Sequence, residues 1–386
     1  MSTPKTVHTS LAPQNATATA DLDRCAVSTD ILEPVGWAPE ESRAATSILV
    51  DHGFSALSSS DDDIVVMPLS RALLEFPWVQ ELMFSLISPD EDDMLHRAFE
   101  SSREPLGTFT WVRDEATVTL PVQSFTVMTV PQERQFTHDI TVIGKGAVVD
   151  HVSGSAVTPT LSHGTHVSVC ETFIGDGAQV RSVDVDKWGS EMNVYSYGRT
   201  QVGVGASVSS VSVAVSAVHC HRSQSRTELA SHASCTSHSI VLAPTGTKRI
   251  KSDVVVLAGE GAQAEQVARM VADGGVIENR SQLVAQSSGV NGFLECDGLM
   301  LRSDGGITSV PALDAQTDGA QLSHEASVGM IDSEKLDYLM STGLTEDAAR
   351  NLIIQGFLDL DDDQIPVAIR ERVENLVAAA RGAEKM

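Results

Sequence analysis

The apolar positions divide this chain into a helical beginning, a long strand-like middle and a helical end. Residues 1–35 are rich in Ser, Thr, Ala and Pro, carry no sustained period and read as a flexible N-terminal arm. Across 36–106 the spacing predicts helices. Glu40 to Leu57 forms one amphipathic stretch, Ser70 to Ile87 a second that breaks or bends at Pro77, and Ser88-Pro89-Asp90 opens a third running to about Ser101. Near Gly329 helical spacing returns. Asp332 suits the cap of a helix that Gly343 stops, Thr345 caps a second, and Pro366 suits the first turn of a third.

Between these ends the period is two. Val118, Leu120 and Val122 alternate with polar residues, as do Val211, Val213 and Val215. A Gly-x-Gly-Ala turn punctuates this region at Gly144, Gly175, Gly203 and Gly259, with intervals of 31, 28 and 56 residues, the last being twice 28. Short strands with glycine turns at a period near 28 predict a β-solenoid in which each rung stacks on the one before. The competing dinucleotide-binding reading needs a third glycine and a helix directly after the turn. The segments that follow Gly146 and Gly177 are instead β-like, Val148-Val149-Asp150 and Val180-Arg181-Ser182-Val183.

Composition narrows the function classes. The 386 residues hold 26 basic and 52 acidic side chains, a net charge of -26, which disfavours nucleic acid and anionic membrane surfaces as partners. Five widely spaced cysteines, Cys25, Cys170, Cys220, Cys235 and Cys296, do not make a disulfide framework and suit a reducing, cytoplasmic setting. No membrane-length apolar run is present. A P-loop, a Cys-x2-Cys pair, a His-Glu-x-x-His helix and a Gly-x-Ser-x-Gly elbow are all missing, so no catalytic residue is assigned.

What remains are soft-metal ligand types in two places. Cys296 lies mid-strand in Leu294-Glu295-Cys296-Asp297, and His324-Glu325 follow 28 residues after it, one solenoid turn. Positions one turn apart sit about 4.8 Å from each other, so Cys296, His324 and Glu325 become candidate ligands for iron or an iron–sulfur cluster. A lone Cys on an apolar strand is equally an ordinary small core residue. His219-Cys220-His221 with His232, Cys235 and His238 form a second group, but Cys220 must point away from its two neighbours in a strand.

At these residues the chain resembles the SufB/SufD family of SUF iron–sulfur cluster assembly proteins, from about residue 76 to the C-terminus. The matching blocks are Phe76-Pro77-Trp78-Val79-Gln80-Glu81, Leu120-Pro121-Val122-Gln123, Gln135-Phe136-Thr137-His138, Asp186-Lys187-Trp188, Leu294-Glu295-Cys296-Asp297, and Ser323 to Gly329 with Ile331-Asp332 and Leu336-Asp337-Tyr338-Leu339. His324-Glu325-Ala326 is SufB-like, whereas Ser323-His324 and Val328-Gly329-Met330-Ile331-Asp332 lean towards SufD. One departure stands out: Ser155 occupies the place where SufB proteins often carry a persulfide-accepting cysteine, which leaves Cys170 or direct sulfide as alternatives.

The resemblance implies a mainly β fold, a right-handed parallel β-helix core over 107–328 between helical regions at 36–106 and 329–386. It implies a cytoplasmic scaffold rather than an enzyme, with a transient iron–sulfur cluster held by Cys296, His324 and Glu325. A SufC-like ATPase would dock on the C-terminal helices, and the chain would form a homodimer or pair with a SufB/SufD paralogue before serving recipient apoproteins. The alternative is a SufD-like structural partner that holds no cluster. A reduced flavin is compatible with such assembly, though no residue here indicates one.

Overall fold

The computed structural model describes residues 27–39, 42–131 and 134–358. Among these, the strands build two facing sheets wound as a solenoid, parallel except for an antiparallel pair at the N-terminal end of each. The first has ten strands, from the hairpin Ala45–Val50 and Gly53–Ser59, through Val122–Met128, to Gln321–Met330. The second has nine, from Ile64–Pro68 to Gly306–Ala315. Each coil places one strand in each sheet, and successive coils pair in parallel register.

The Gly-x-Gly-Ala signal marks the same corner in four of the coils, and each of its residues has a separate structural reason. The first glycine passes close to the preceding coil: a Cβ on Gly259 would lie 2.0 Å from Ser231 N. The second has positive φ, and its N–H donates to the next coil, as Gly177 N does to Val204 O at 2.8 Å. The alanine turns inward, and Ala147, Ala178, Ala206, Ala233 and Ala262 are all buried. Left-handed residues recur at Glu115, Gly146, Gly177, Gly205, His232, Gly261, Gly289 and Gly319. The double interval in the sequence is therefore a coil whose corner residue is His232 in place of glycine.

Between the sheets the interior is striped. An apolar strip containing Val149, Val180, Leu229, Leu257 and Leu283 follows the glycine corners. A second, with Met192, Val194, Val241, Ala243 and Met270, follows the opposite turns. A polar seam runs between them. Its second-sheet wall is a column of Ser168, Ser196, Ser223, Lys251, Asn279 and Ser309, beside Cys170, Ser225, Asp253 and Ser281. Ser153, Asp184, Ser212, Ser239, Ala268 and Cys296 form part of the facing wall.

The outer faces are covered by the chain ends. Val183, Val185, Val211, Val213 and Ile240 form an outward apolar stripe on the first sheet. It meets α1 (Thr29–Leu32) with the tight turn Glu33–Val35 at one end, and a C-terminal helix, Glu346–Leu358, at the other. Residues 27–35 are thus packed, unlike the flexible arm expected there: Val35 is fully buried, and a Cβ on Gly154 would clash with its carbonyl. The second sheet is covered by α2 (Leu69–Glu75), the turn Pro77–Glu81 and α3 (Asp93–Ser101), so the break expected at Pro77 is present. Glu171 fastens this cover, accepting from Phe84 N at 2.7 Å and Leu86 N at 2.6 Å, with His138 Nε2 at 2.8 Å.

The helix expected over Glu40 to Leu57 is instead the hairpin Ala45–Val50/Gly53–Ser59. Asp51, with φ of 51°, makes the reversal, and the open edge of Val122–Met128 supplies backbone partners that a helix would leave unused. Beyond the solenoid, α4 (Ser333–Ser341) starts at Asp332, whose carboxylate accepts from Glu334 N at 2.9 Å. Next comes α5 (Glu346–Leu358), with Thr345 Oγ1 accepting from Ala348 N at 3.2 Å. The helix expected after Pro366 lies outside the described residues.

Two consequences can be measured. His232 is exposed and held at φ of 58°, so His232→Gly should raise stability by about 0.5–1 kcal/mol in denaturant unfolding. Gly177→Ala has open space but φ of 67°, and should lower stability by about 1–2 kcal/mol; equal midpoints for all three proteins would refute the corner argument. The second concerns pH. Burial and neighbouring Asp184 push Asp186 up to about 8 despite nearby Arg249. The native state therefore keeps a proton that the unfolded chain releases near pH 4, so this stabilisation is complete below that range and is lost as pH rises through 8. Asp186→Asn should flatten the fall in melting temperature between pH 5 and 8, and an unchanged slope would exclude Asp186 as its source.

Candidate functional site: a polar lumen ending at a buried thiol

The seam presents one thiol near each end, in opposite electrostatic settings. Towards the N-terminal end, Cys170 has Asp139 Oδ2 3.9 Å from its sulfur and faces Asp184 and Asp186 across the lumen. Desolvation first, then these carboxylates, push its thiol well above the ordinary range, although the residue keeps exposed surface. A thiol kept protonated is a weaker nucleophile than a thiolate. Ser155 lies in the same part of the seam, within reach of Asp186. Further along the lumen, Arg249 donates to Leu242 O at 2.9 Å, Ser216 O at 2.6 Å and His221 Nδ1 at 3.2 Å. Burial, with Arg249 beside it, lowers His221 to about 3, so its imidazole is neutral.

Cys296 occupies the opposite end. Its residue is only 1% exposed, turned inward from Asn291–Met300 among Val241, Ala243, Ala268, Met270 and Ile277. Here the polar neighbours are donors. Asn279 Nδ2 lies 3.4 Å from the sulfur, and Lys251 is close enough that a thiolate at Cys296 would stabilise its ammonium. Burial is the larger effect and lowers Lys251 to about 8. Lys251 is paired with Asp253, which also accepts from Ser225 Oγ at 2.6 Å. Ser237, Ser239, Lys251, Asp253, Gln266 and Ser281 line a small polar pocket in this part of the lumen.

The register departs from the 28-residue arithmetic at this point. Cys296 lies opposite Ala326, and His324 lies opposite Leu294. The turn before Gly306–Ala315 is two residues longer than its counterpart before Val276–Ala285, which displaces the last coil by two positions. A two-residue shift preserves side-chain parity, so Cys296 and His324 both belong to the inner face as diagonal neighbours. Glu325 has the opposite parity and faces outward beside Glu295. There Arg269 Nη2 pairs with Glu295 at 2.5 Å and its Nη1 with Asp297, and the guanidinium lies under the Phe357 ring at 6.0 Å. Burial raises Glu295 against the pull of Arg269, with Asp297 and Glu325 adding to the rise.

The three anticipated ligands therefore divide between two faces of one sheet, and among the described residues no group of three His, Cys, Asp or Glu side chains is placed to hold one metal ion. The second group disperses as well. His221 faces the lumen, Cys220 is partly exposed, His232 is a corner and Cys235 is packed in the apolar core. Sequence reasoning missed Lys251 and Asn279. Their signal was the polar column itself, whose members recur at the solenoid period from Ser168 to Ser309.

The final coil is open. Val310, Val328 and Met330 are exposed, and the strands Gly306–Ala315 and Gln321–Met330 end their sheets, each with an unpaired backbone edge among the described residues. Tyr338, Met340 and Leu352 add exposed apolar surface on α4 and α5. No described helix is long and apolar enough to cross a membrane.

Comparison with known proteins gives the chain's relatives. Residues 126–357 match the family described as "SUF system FeS cluster assembly, SufBD core domain". An iron–sulfur cluster assembly SufBD family protein of Archaeoglobus fulgidus is 26% identical over 355 residues, covering 92% of this chain and 95% of the relative. One from Methanothermobacter thermautotrophicus is 29% identical over 350 residues, covering 89% and 85%. A Pyrococcus horikoshii relative is 23% identical, covering 82% and 71%. With its coiled sheets and most of its length matched in this way, the chain belongs to the SufBD family of SUF iron–sulfur cluster assembly proteins.

Proposed function

We propose that this chain is a scaffold subunit on which iron–sulfur clusters are built and from which they are passed on, working with a SufC-like ATPase. The observation that carries this reading is the inward thiol of Cys296 one coil from the open end, with His324 on the same inner face of the last strand. Thiolate and imidazole are both ligands for iron in such clusters. The cluster is cargo, so incomplete ligation from one chain is an advantage: few protein bonds must break at release.

Two copies meeting at their open ends would bring His324 of each towards the other, and unpaired strand edges are natural places for such association. Cys296 then serves as the principal ligand and His324 as a ligand across the interface. Glu325 receives incoming iron on the outer face, where a carboxylate oxygen suits a harder ion. Cys296 is buried beneath the last coil, so loading requires that coil to shift. The exposed α4–α5 surface is where an ATPase would apply that movement. The division of the ligands between two faces favours one second reading, a SufD-like structural partner that supports the ATPase without holding a cluster.

Anaerobic reconstitution with iron and sulfide separates the two. The scaffold reading expects a sulfur-to-iron charge-transfer absorption that Cys296→Ala abolishes, and spectra indifferent to that substitution would leave the structural role. Docking has its own measurement. Tyr338 is 69% exposed, and the pair Tyr338→Ala and Leu352→Ala should weaken binding of the co-expressed ATPase about tenfold or more while leaving the melting temperature unchanged. Undiminished binding would move the docking surface elsewhere.

A further inference from the structure

Asn279 is an expensive residue for its position. It is 1% exposed, points from Val276–Ala285 into the lumen, and its Oδ1 has no hydrogen-bond partner. An orphaned buried carbonyl costs about 1–3 kcal/mol relative to a satisfied one. Cys296, which its amide touches, packs among Val241, Met270 and Ile277, so a leucine at 279 would avoid that penalty on an apolar side of the lumen. Its amide nitrogen is fully engaged, with Ser281 Oγ at 3.2 Å and Cys296 Sγ at 3.4 Å. The amide N–H is the end that can stay on this sulfur once the thiol has given up its proton, because a carbonyl oxygen turned to a metal-bound sulfur would meet only lone pairs.

We infer that Asn279 is a positioning residue for Cys296, its side-chain N–H holding the sulfur towards the polar lumen and remaining on that sulfur when it carries iron. This rests on the reading of Cys296 as a ligand and adds a residue to that site. A thiol alone on this wall would have the apolar contacts of its own strip to choose from. The amide gives it a directed partner on the opposite sheet instead. Ser281 braces the same nitrogen, so the donor does not have to reorganise when metal arrives. Hydrogen bonds to a metal-bound sulfur withdraw electron density from it, and they set both affinity and electronic transitions.

Asn279→Leu removes the donor and the orphaned carbonyl together and fills their space, whereas Asn279→Ala removes both and leaves the space empty. Cobalt(II) alone, titrated anaerobically into the full-length protein, is the probe, with Cys296→Ala identifying the sulfur-to-cobalt band. Both Asn279 variants should bind cobalt about tenfold or more weakly. Their band should move to longer wavelength, and Asn279→Leu should melt no lower than wild type. A Cys296-dependent band whose position and affinity are the same in either folded variant overturns the role of Asn279 and leaves the ligand reading intact. Absence of any Cys296-dependent band in the wild-type protein overturns the ligand reading, and Asn279 falls with it.

Discussion

Parallel register between coils is the constraint from which everything else in this molecule follows. Each inward side chain stacks on the same position of the coils before and after it, about 4.8 Å away, so chemistry is arranged in columns rather than scattered. A serine column stays a serine column until one member changes, and then the change is felt by both neighbours. The corner residues protect this register. A Cβ at Gly203 would sit 2.6 Å from Asp176 N of the preceding coil, so a larger residue there would push two coils apart and misalign the columns along the sheets. Turn length has the same authority, and two additional residues before Gly306 are enough to put His324 opposite Leu294.

The polar seam is the costly part of this design. A two-sheet solenoid could fill its interior with aliphatic layers, as it does beside each row of turns. Between those rows it carries hydroxyls, amides, carboxylates and a buried ammonium instead. Most are paired, as Lys251 with Asp253, Ser225 with Asp253, and His166 Nδ1 with Gln135 Oε1 at 2.8 Å. Buried polar atoms without a partner lie towards both ends of the lumen, His151 Nε2 beside the acidic end and Asn279 Oδ1 and Gln266 Oε1 near Cys296. Each costs stability, so their presence suggests selection for something other than stability.

Much of this was legible in the sequence because repetition is itself a signal. The glycine corners gave the solenoid, and Asp332, Gly343 and Thr345 gave the ends of the C-terminal helices. Local chemistry failed where tertiary pairing decided the outcome. Ala45 to Leu57 has apolar residues that fit a helix as well as a strand, and only the waiting edge of Val122–Met128 settles the matter. His232 and Glu115 hid two corners because they adopt the left-handed conformation without being glycine. The site suffered from a different limit. Spacing counts residues but does not say in which turn an insertion falls, so Cys296 and His324 were placed one pair out of register. Parity was available: Glu325, adjacent to His324 in a strand, had to face the other way.

The two lumenal thiols show how far a column overrides residue identity. Cys170 and Cys296 are both inward, both in strands and both among small side chains. Around Cys170 the neighbouring columns supply carboxylates, and its proton is held. Around Cys296 they supply an amide N–H and an ammonium, arranged to meet electron density on sulfur. An iron ligand must surrender its proton to the metal, which the carboxylates around Cys170 oppose, whereas the amide beside Cys296 is a donor. Ser155 completes the contrast, since a hydroxyl beside Asp186 adds no thiolate at the acidic end. The proposed ligand thus stands near the end of the lumen where both sheets keep an unpaired strand edge among the described residues.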